Sequence, residues 1–415
     1  MLPNFPSNWL CRHCLLQTRR LSSTWQPPPP SPLPPQQGYS RLTNRSLISV
    51  TGADSTTFLQ GLITQNIVKP KDRPRHTPFY TAFLNAKGRV FHDVFIYPSV
   101  ARSNWPDDWD YLIEVDKEEV TDLMRHLKRH KLRSKLEFRK LKECERSVWA
   151  IWDGRKTPTW NCESVEKRAK YNIDGTIFTT VDNRAPGLGY RFVGFGDTIS
   201  RPLQEFLPGD EVPLTTYTLR RFLHGVAEGQ TEIRRAAALP GDSNIDIMNG
   251  IDFHKGCYLG QELTIRTHHR GIIRKRILPV QLYRADEPMP TSDLLTYRQD
   301  ADFSLPGAWR EVDVVKVGDT KRSVGKFLVG MGNVGLAVCR LESMTDMSVT
   351  GEPTAYNPDQ EFMISWEPVR GQGAVEVRLK AVVPPWIREY VLSGGARHRL
   401  PQSKAPEARE PAEEL

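Results

Sequence analysis

The chain has no acidic residue before Asp54, no long apolar run, no paired cysteine framework and no internal repeat. Each absence removes a class of protein. A membrane-spanning helix needs about 18 or more consecutive apolar residues. The most apolar segment here, Phe327 to Cys339, is short and interrupted by Gly330, Gly332 and Gly335, so no membrane partner is expected. The six cysteines are Cys11, Cys14, Cys144, Cys162, Cys257 and Cys339. Only the first two are close, and Cys-Arg-His-Cys has no second pair to complete a metal site. The net charge of +8 includes Arg12, Arg19 and Arg20 of the acid-free stretch. Without them the basicity is mild and does not call for a nucleic-acid partner.

The acid-free stretch has its own meaning. It carries arginine and serine, and the apolar Phe5, Trp9, Leu10, Leu15, Leu16 and Leu21 suit an amphipathic import helix. That is the composition of a mitochondrial transit peptide, whereas a secretory signal needs a longer unbroken apolar core. In the matrix that such a leader addresses, structural disulfides are not expected. The proline run from Pro27 to Pro35 reads as a polyproline II linker. Residues 1–38 are thus expected to be transit peptide and linker, and the charged, proline-bearing residues 394–415 a disordered tail.

Between these ends, 415 residues leave room for two or three domains, and 26% charged with 39% hydrophobic residues is ordinary for a globular protein. Leu47–Val50 reads as a strand, followed by a helix from Ser55 to Gln65 with Phe58, Leu59, Leu62 and Ile63 on one face. Phe79–Leu84 and Arg89–Tyr97 alternate as a hairpin around Asn85-Ala-Lys-Gly88. A strand at Tyr111–Val115, a helix from Lys117 to about His130 and a strand at Lys135–Leu141 follow. Trp149–Trp152, Ile177–Val181 and Gly189–Phe192 are strand-like, which predicts an α+β body. Beyond Ile272 the chain turns strand-rich, at Ile277–Tyr283, Gly335–Leu341 and Gly373–Leu379, and predicts a small β-barrel. Residues 153–172 and 298–326 are polar and poorly periodic, and read as surface insertions.

One segment is not explained by packing. Lys255-Gly256-Cys257-Tyr258-Leu259-Gly260-Gln261-Glu262, continuing to Arg266, sets a cysteine between a lysine, two glycines and a Gln-Glu pair. Two glycines in five residues weaken regular structure and let backbone approach something closely. A cation such as Lys255 would favour the Cys257 thiolate, the form that attacks electrophiles and binds soft metals. A strand-to-turn junction with a buried thiol is the alternative reading.

The octapeptide resembles the signature of the YgfZ/GcvT-like family of folate-binding proteins, relatives of the glycine-cleavage T-protein. The resemblance extends to His224-Gly-Val-Ala-Glu-Gly229, Ala238-Leu-Pro240, Asn244–Phe253 and Arg266–Arg276, and over this span is similar to the mitochondrial branch of iron–sulfur cluster assembly factors, also labelled putative transferases. It implies an α+β fold of two interleaved ferredoxin-like lobes over residues 39–271 and a C-terminal β-barrel over 272–393, packed as a T-protein-like cloverleaf around a folate channel. It implies a matrix protein acting late in maturation of [4Fe–4S] enzymes, aconitase-type and radical-SAM, together with A-type scaffold proteins. Cys257 would be the cluster-contacting thiolate; Lys255 and Arg266 would tune its charge, and Gln261 and Glu262 would hydrogen-bond the loop. One thiolate cannot saturate a cluster that usually takes four, so the cluster would be shared with a partner. Tetrahydrofolate is the implied cofactor, with Asn85, Asp93, Asp242 and Asn244 as candidate contacts. The alternative activity is a tetrahydrofolate-dependent aminomethyl or one-carbon transferase.

Two departures from the T-protein pattern weigh against that alternative. Asn85–Asp93 resembles a hairpin with paired acids, but the first acid is replaced by His92. Pro186-Gly-Leu-Gly-Tyr-Arg191 stands where T-proteins carry Thr-Gly-Glu-x-Gly-Tyr, and Gly187 occupies the place of the pterin-holding glutamate. Basic groups also cluster at Arg125–Lys135, where a solvated helix end explains them, and at His268, His269, Arg274, Lys275 and Arg276. There they would suit an anionic partner, and His268 could also serve as a cluster ligand.

Overall fold

The computed structural model describes residues 31–69, 73–75, 77–100, 109–155, 178–199, 204–205, 207–301, 303, 305–307, 311–349, 356–368 and 373–393. The import helix, Cys11, Cys14, Cys162, most of the 153–172 insertion and the C-terminal tail lie outside the described residues.

Two five-stranded sheets and a closed barrel form a mixed α+β architecture. The first sheet runs in the order Phe79–Leu84, Val90–Val100, Trp109–Asp116, Arg45–Thr51, Glu137–Lys140, with every neighbour antiparallel. The second runs Phe178–Val181, Tyr190–Phe195, Arg146–Asp153, Gln37–Arg41, Asp210–Glu211, and only the last pairing is parallel. The Gln37–Arg41 strand precedes every strand of the first sheet in the chain, so the two sheets are threaded through one another.

Period-two alternation fixes which face each side chain meets. In Val90–Val100, Val94 and Ile96 face the helices Ser55–Gln60 and Val120–Lys131, joining Phe58, Leu59, Leu123 and Leu127 in one core. Phe95 and Tyr97 face the other way, into a core shared with Val148, Ala150 and Trp152 of the second sheet and with Tyr217, Leu219 and Phe222 of the Leu214–His224 helix. The first helix is shorter than the periodicity predicts. It ends at Gln60 because Gly61 follows and the side chain of Gln60 turns back, its Oε1 accepting from the Ile67 amide at 2.9 Å. Asp54 does not cap it through its side chain; its Oδ2 accepts from the Lys135 amide and ties the helix start to the sheet edge.

The barrel joins Lys275–Tyr283, Val334–Arg340, Asp319–Met331, Val312–Lys316, Phe362–Trp366 and Val375–Ala381 in a closed ring. Its interior holds Leu278, Val280, Val312, Val314, Phe327, Ala337, Ile364 and Leu379. Two expectations are corrected here. Much of the stretch 298–326 is not a surface insertion, because Val312, Val314 and Val324 point inward while Asp313, Lys321 and Arg322 face solvent. Residues 31–38 are not a free linker: Ser31 is buried against Thr216, and the Pro35 carbonyl accepts from the Trp152 indole at 3.0 Å.

Candidate functional site

Residues 251–260 form an irregular loop leading into the helix Gln261–Arg270. The loop is pinned on both sides of one exposed dipeptide. On the N-terminal side, Lys255 is only 9% exposed and its Nζ donates to the carbonyls of Gln60, Ile63 and Gln65 at 2.8, 2.7 and 3.0 Å. On the C-terminal side Tyr258 is buried, its ring lies 4.9 Å from Lys255 Nζ, and its amide donates to Gln261 Oε1 at 3.1 Å. The Leu259 amide donates to Gly61 O at 3.0 Å. Gly260 has φ +78, and a Cβ there would collide with the Asn85 carbonyl. Only glycine combines that left-handed backbone with so close an approach.

Between these anchors Gly256 and Cys257 are exposed, and nothing lies within 4 Å of where a Cβ on Gly256 would stand. The packing alternative for Cys257 therefore fails. Cys339 shows the contrast: it is buried in the barrel, and desolvation pushes its thiol far above the ordinary range. The expectation that Lys255 supports a Cys257 thiolate is also revised. Its N–H bonds point inward to three carbonyls, so it braces the loop. Burial pushes its ammonium down to about 7, opposed by Asp252. Glu262 and Arg266 are exposed on the helix; Glu262 sits in the first turn, where the helix dipole favours an acid.

The hairpin motif and the signature, far apart in sequence, meet in space. A Cβ on Gly88 would stand 2.8 Å from Leu263 Cβ and 2.9 Å from Gly260 O. The Val90 amide donates to Ala238 O, and the Ala236 amide donates to Val90 O. His92 and Asp93 are both fully buried, on opposite faces of their strand. His92 Nε2 lies 3.1 Å from Glu119 Oε2 on the helix side, with Phe91 edge-on to it and Phe91 also against His126. Burial, with His130 and His92 adding to it, pushes His126 down to about 4. Asp93 faces the second sheet and accepts from the Gly229 amide and from Gln230 Nε2 at 2.9 Å.

The largest polar feature was not singled out from sequence. Between the sheets Glu114 accepts from Arg45 Nε at 2.9 Å, Arg191 Nη2 at 2.7 Å and the Tyr97 hydroxyl at 2.6 Å. Glu228 accepts from Arg191 at 2.6 Å and from the Tyr217 hydroxyl at 3.0 Å, and Arg184 lies 2.8 Å away. Arg184 also grips Asp182, and Arg221 grips Glu232, each through two bonds. Burial alone would raise the Glu228 carboxyl, but Arg191, Arg184 and Arg221 hold it well below the carboxylate range. Arg45, Glu114 and Arg191 lie on inward strand positions and Arg221 on the buried face of its helix, where alternation was the available signal; Asp182, Arg184, Glu228 and Glu232 lie in turns and loops, where no period reports them.

The residues carried over as folate contacts do not fit a pterin. Asn85 Oδ1 is occupied by the amides of Lys87 and Arg89 at 2.9 and 3.1 Å. Asn244 joins the barrel instead, donating to Ile277 O at 2.6 Å and accepting from Arg276 at 3.2 Å. The Asp93 carboxylate is held as described, and Gly187 offers no carboxylate. Asp242 alone among the four carries no side-chain hydrogen bond to the described residues; burial pushes its carboxyl up to about 6 against the pull of Lys275 and Arg276. Among the described residues no group of three or more His, Cys, Asp and Glu is placed to hold a metal ion; His268 is exposed on the helix that follows the loop. It stacks on Phe253, with ring centroids 3.7 Å apart.

Comparisons with known proteins agree with this architecture. Residues 274–389 match the CAF17 C-terminal beta-barrel domain. Over its whole length the chain is 50% identical to a Coccidioides immitis protein named "Iron-sulfur cluster assembly factor IBA57 homolog, mitochondrial", 99% of which is covered. It is 49% identical to the Neosartorya fischeri protein of that name, over 94% of this chain and 91% of the relative, and 42% identical to the Neurospora crassa one, over 91% and 86%. The glycine cleavage system aminomethyltransferase T from Bartonella henselae shares the fold, with a TM-score of 0.53 at 13% identity over 85% of this chain and 86% of that one.

Proposed function

The chain belongs to the family of mitochondrial iron–sulfur cluster assembly factors that comprises the IBA57 homologs, and from that premise we propose that Cys257 supplies one thiolate to a cluster shared with a partner protein. The reading places the protein in the mitochondrial matrix, late in the maturation of [4Fe–4S] enzymes of the aconitase and radical-SAM types. The partner is an A-type scaffold protein, which contributes the remaining thiolates.

The observation that carries this reading is the exposed thiol on a braced loop. Lys255 and Tyr258 are buried on either side, so Cys257 is held out toward solvent with little freedom to lose when iron binds. A thiol releases its proton on binding iron, and an exposed site lets that proton leave to water. A lone ligand favours bridging and transfer over stable storage, because a cluster usually takes four. The GcvT-like fold makes folate a candidate cofactor, but no step is routed through it, since Asn85, Asp93 and Asn244 are engaged within the chain and only Asp242 is left without a side-chain hydrogen bond among the described residues. The transferase alternative lacks its pair of acids: His92 stands in place of the first, facing Glu119, while Asp93 faces Gly229 and Gln230 on the other side of the sheet.

The test is genetic. Cys257→Ser, expressed at the wild-type level in a strain lacking this protein, is expected to leave aconitase activity and protein lipoylation unrestored. Full rescue of both would remove the thiolate role.

A further inference from the structure

The surface that surrounds Cys257 has a sign. Lys87, His254, Arg266, His268, His269, Arg274 and Lys275 are all exposed, and Glu262 is the exposed acid among them. The fold gathers them from separate stretches. Contacts of Gly88 with Gly260 and Leu263 seat the hairpin tip, and with it Lys87, beside the first turn of the Gln261–Arg270 helix. Along that helix Arg266 and His269 follow Glu262 at intervals of about one turn and so share a face. The stack of His268 on Phe253 ties the last turn back to the loop that carries His254 and Cys257. His254 in turn bears electrostatically on His268. Lys275 and Arg89, the residue after Gly88, both act on Asp242, which closes the ring between barrel and hairpin.

The lysines and arginines of this set carry its charge, since His254 already faces Asp252 at 3.8 Å and burial pushes the His268 imidazole down. Among the described residues Lys87, Arg266, Arg274 and Lys275 make no ion pair. On the rest of the barrel Arg298 pairs with Glu287, Lys326 with Glu311, Arg378 with Glu361 and Arg388 with Asp346, whereas the exposed Lys321, Arg322 and Arg340 of the barrel strands make no ion pair among the described residues. A cationic field around an exposed thiol attracts anions and repels cations. Thiolate-bound iron–sulfur clusters carry negative charge, and so does a protein surface rich in Asp and Glu.

We propose that this collar is a docking surface for a protein whose face is acidic beside the thiolates that it brings to the shared cluster. The inference rests on the reading of Cys257 given above and adds the chemistry by which the partner is selected. A protein partner is favoured over nucleic acid or lipid because a soft metal ligand stands within the collar. Moreover, the aromatic rings nearest to it are covered, Phe253 by His268 and Tyr258 by burial, so no stacking platform for bases is offered. Complementary charge of this kind speeds association and fixes orientation more than it adds affinity.

Two measurements on the full chain test it. The first reads the field at the thiol: rates of thiol–disulfide exchange with anionic dithiobis-nitrobenzoate and with neutral dithiodipyridine, each corrected for Cys257→Ser. The ratio of anionic to neutral rate is expected to fall with added salt, and to fall by roughly tenfold in Lys87→Glu/Arg266→Glu. Lys87→Arg/Arg266→Lys should keep it. The second reads binding of the organism's A-type scaffold protein at low and high salt. Reversal is expected to slow association by about tenfold or more at low salt and to flatten the salt dependence, whereas Cys257→Ser keeps that salt dependence. An unchanged rate ratio would overturn the field itself. Unchanged scaffold binding in the reversed variant would overturn the docking role while leaving the thiolate reading intact. No scaffold binding by the wild type would overturn both. Salt-sensitive binding of RNA or anionic vesicles without scaffold binding would overturn the choice of a protein partner.

Discussion

Replacing Lys255 with Met isolates the brace from the chemistry. Methionine keeps most of the aliphatic reach and removes the donor. The carbonyls of Gln60, Ile63 and Gln65 then lose bonds of 2.8, 2.7 and 3.0 Å, two of them in buried surroundings. A buried acceptor left without a donor costs about 1–3 kcal/mol. Removing an ammonium whose burial already pushes it down to about 7 gives some of that back, so a net loss of about 2 kcal/mol is expected. The loss has a pH signature. Lysine ordinarily titrates at 10.5 but at about 7 in the folded chain, so between those values the unfolded chain binds more protons. Wild-type stability therefore gains a rising contribution from about pH 7 toward pH 10, which the Met variant lacks. Denaturant unfolding at several pH values measures both effects, and hydrogen exchange at the Leu259 amide, bonded to Gly61 O, measures local opening. Equal stability, an identical pH slope and unaltered Leu259 protection would refute the bracing role.

Gly260→Ala should destabilise the chain by about 1–3 kcal/mol from its left-handed backbone alone, with more from the collision with Asn85, while Gly256→Ala, in open space, should leave the thermal midpoint unchanged. Glu228→Gln leaves Arg184, Arg191 and Arg221 with one carboxylate fewer, and about 3–5 kcal/mol of unfolding free energy should be lost in a denaturant titration. His126 ordinarily titrates at 6.5 but is pushed down to about 4. The unfolded chain therefore binds the extra proton in that window, and stability falls as pH drops through it. His126→Gln should flatten this part of the acid profile relative to wild type.

Much of the framework was legible because burial follows short periods. Val94 and Ile96 against Phe95 and Tyr97 give a strand buried on both faces, and Val120, Leu123 and Leu127 give a helix face. The barrel strands Val312–Lys316 and Asp319–Met331 escaped because their solvent faces carry Asp313, Lys316 and Lys321 and a tight turn at Gly318 joins them. The helix after Asp54 was drawn too long because Gln60, Ile63 and Gln65 turn their carbonyls to Lys255, some 190 residues away in sequence. No local pattern reports such a partner. The buried network escaped for another reason. Arg45, Glu114 and Arg191 look like solvent-facing charges until their register is compared with Leu47, Leu112 and Val193 on the same inward faces. At the site, the signature singled out Cys257, which the fold leaves exposed, but the inward role of Lys255 and the engagement of Asn85, Asp93 and Asn244 needed the tertiary contacts.

The central claim is that the exposed thiol of Cys257 ligates a shared cluster. Mixing the chain anaerobically with its A-type scaffold partner, iron and sulfide, and recording the visible spectrum of the isolated complex tests this most directly. Wild type should yield a complex that carries iron–sulfur absorption, and Cys257→Ser, folded to the same stability, should yield neither the bands nor the cluster-bound complex. A Cys257→Ser complex with the same cluster content and spectrum would contradict the account.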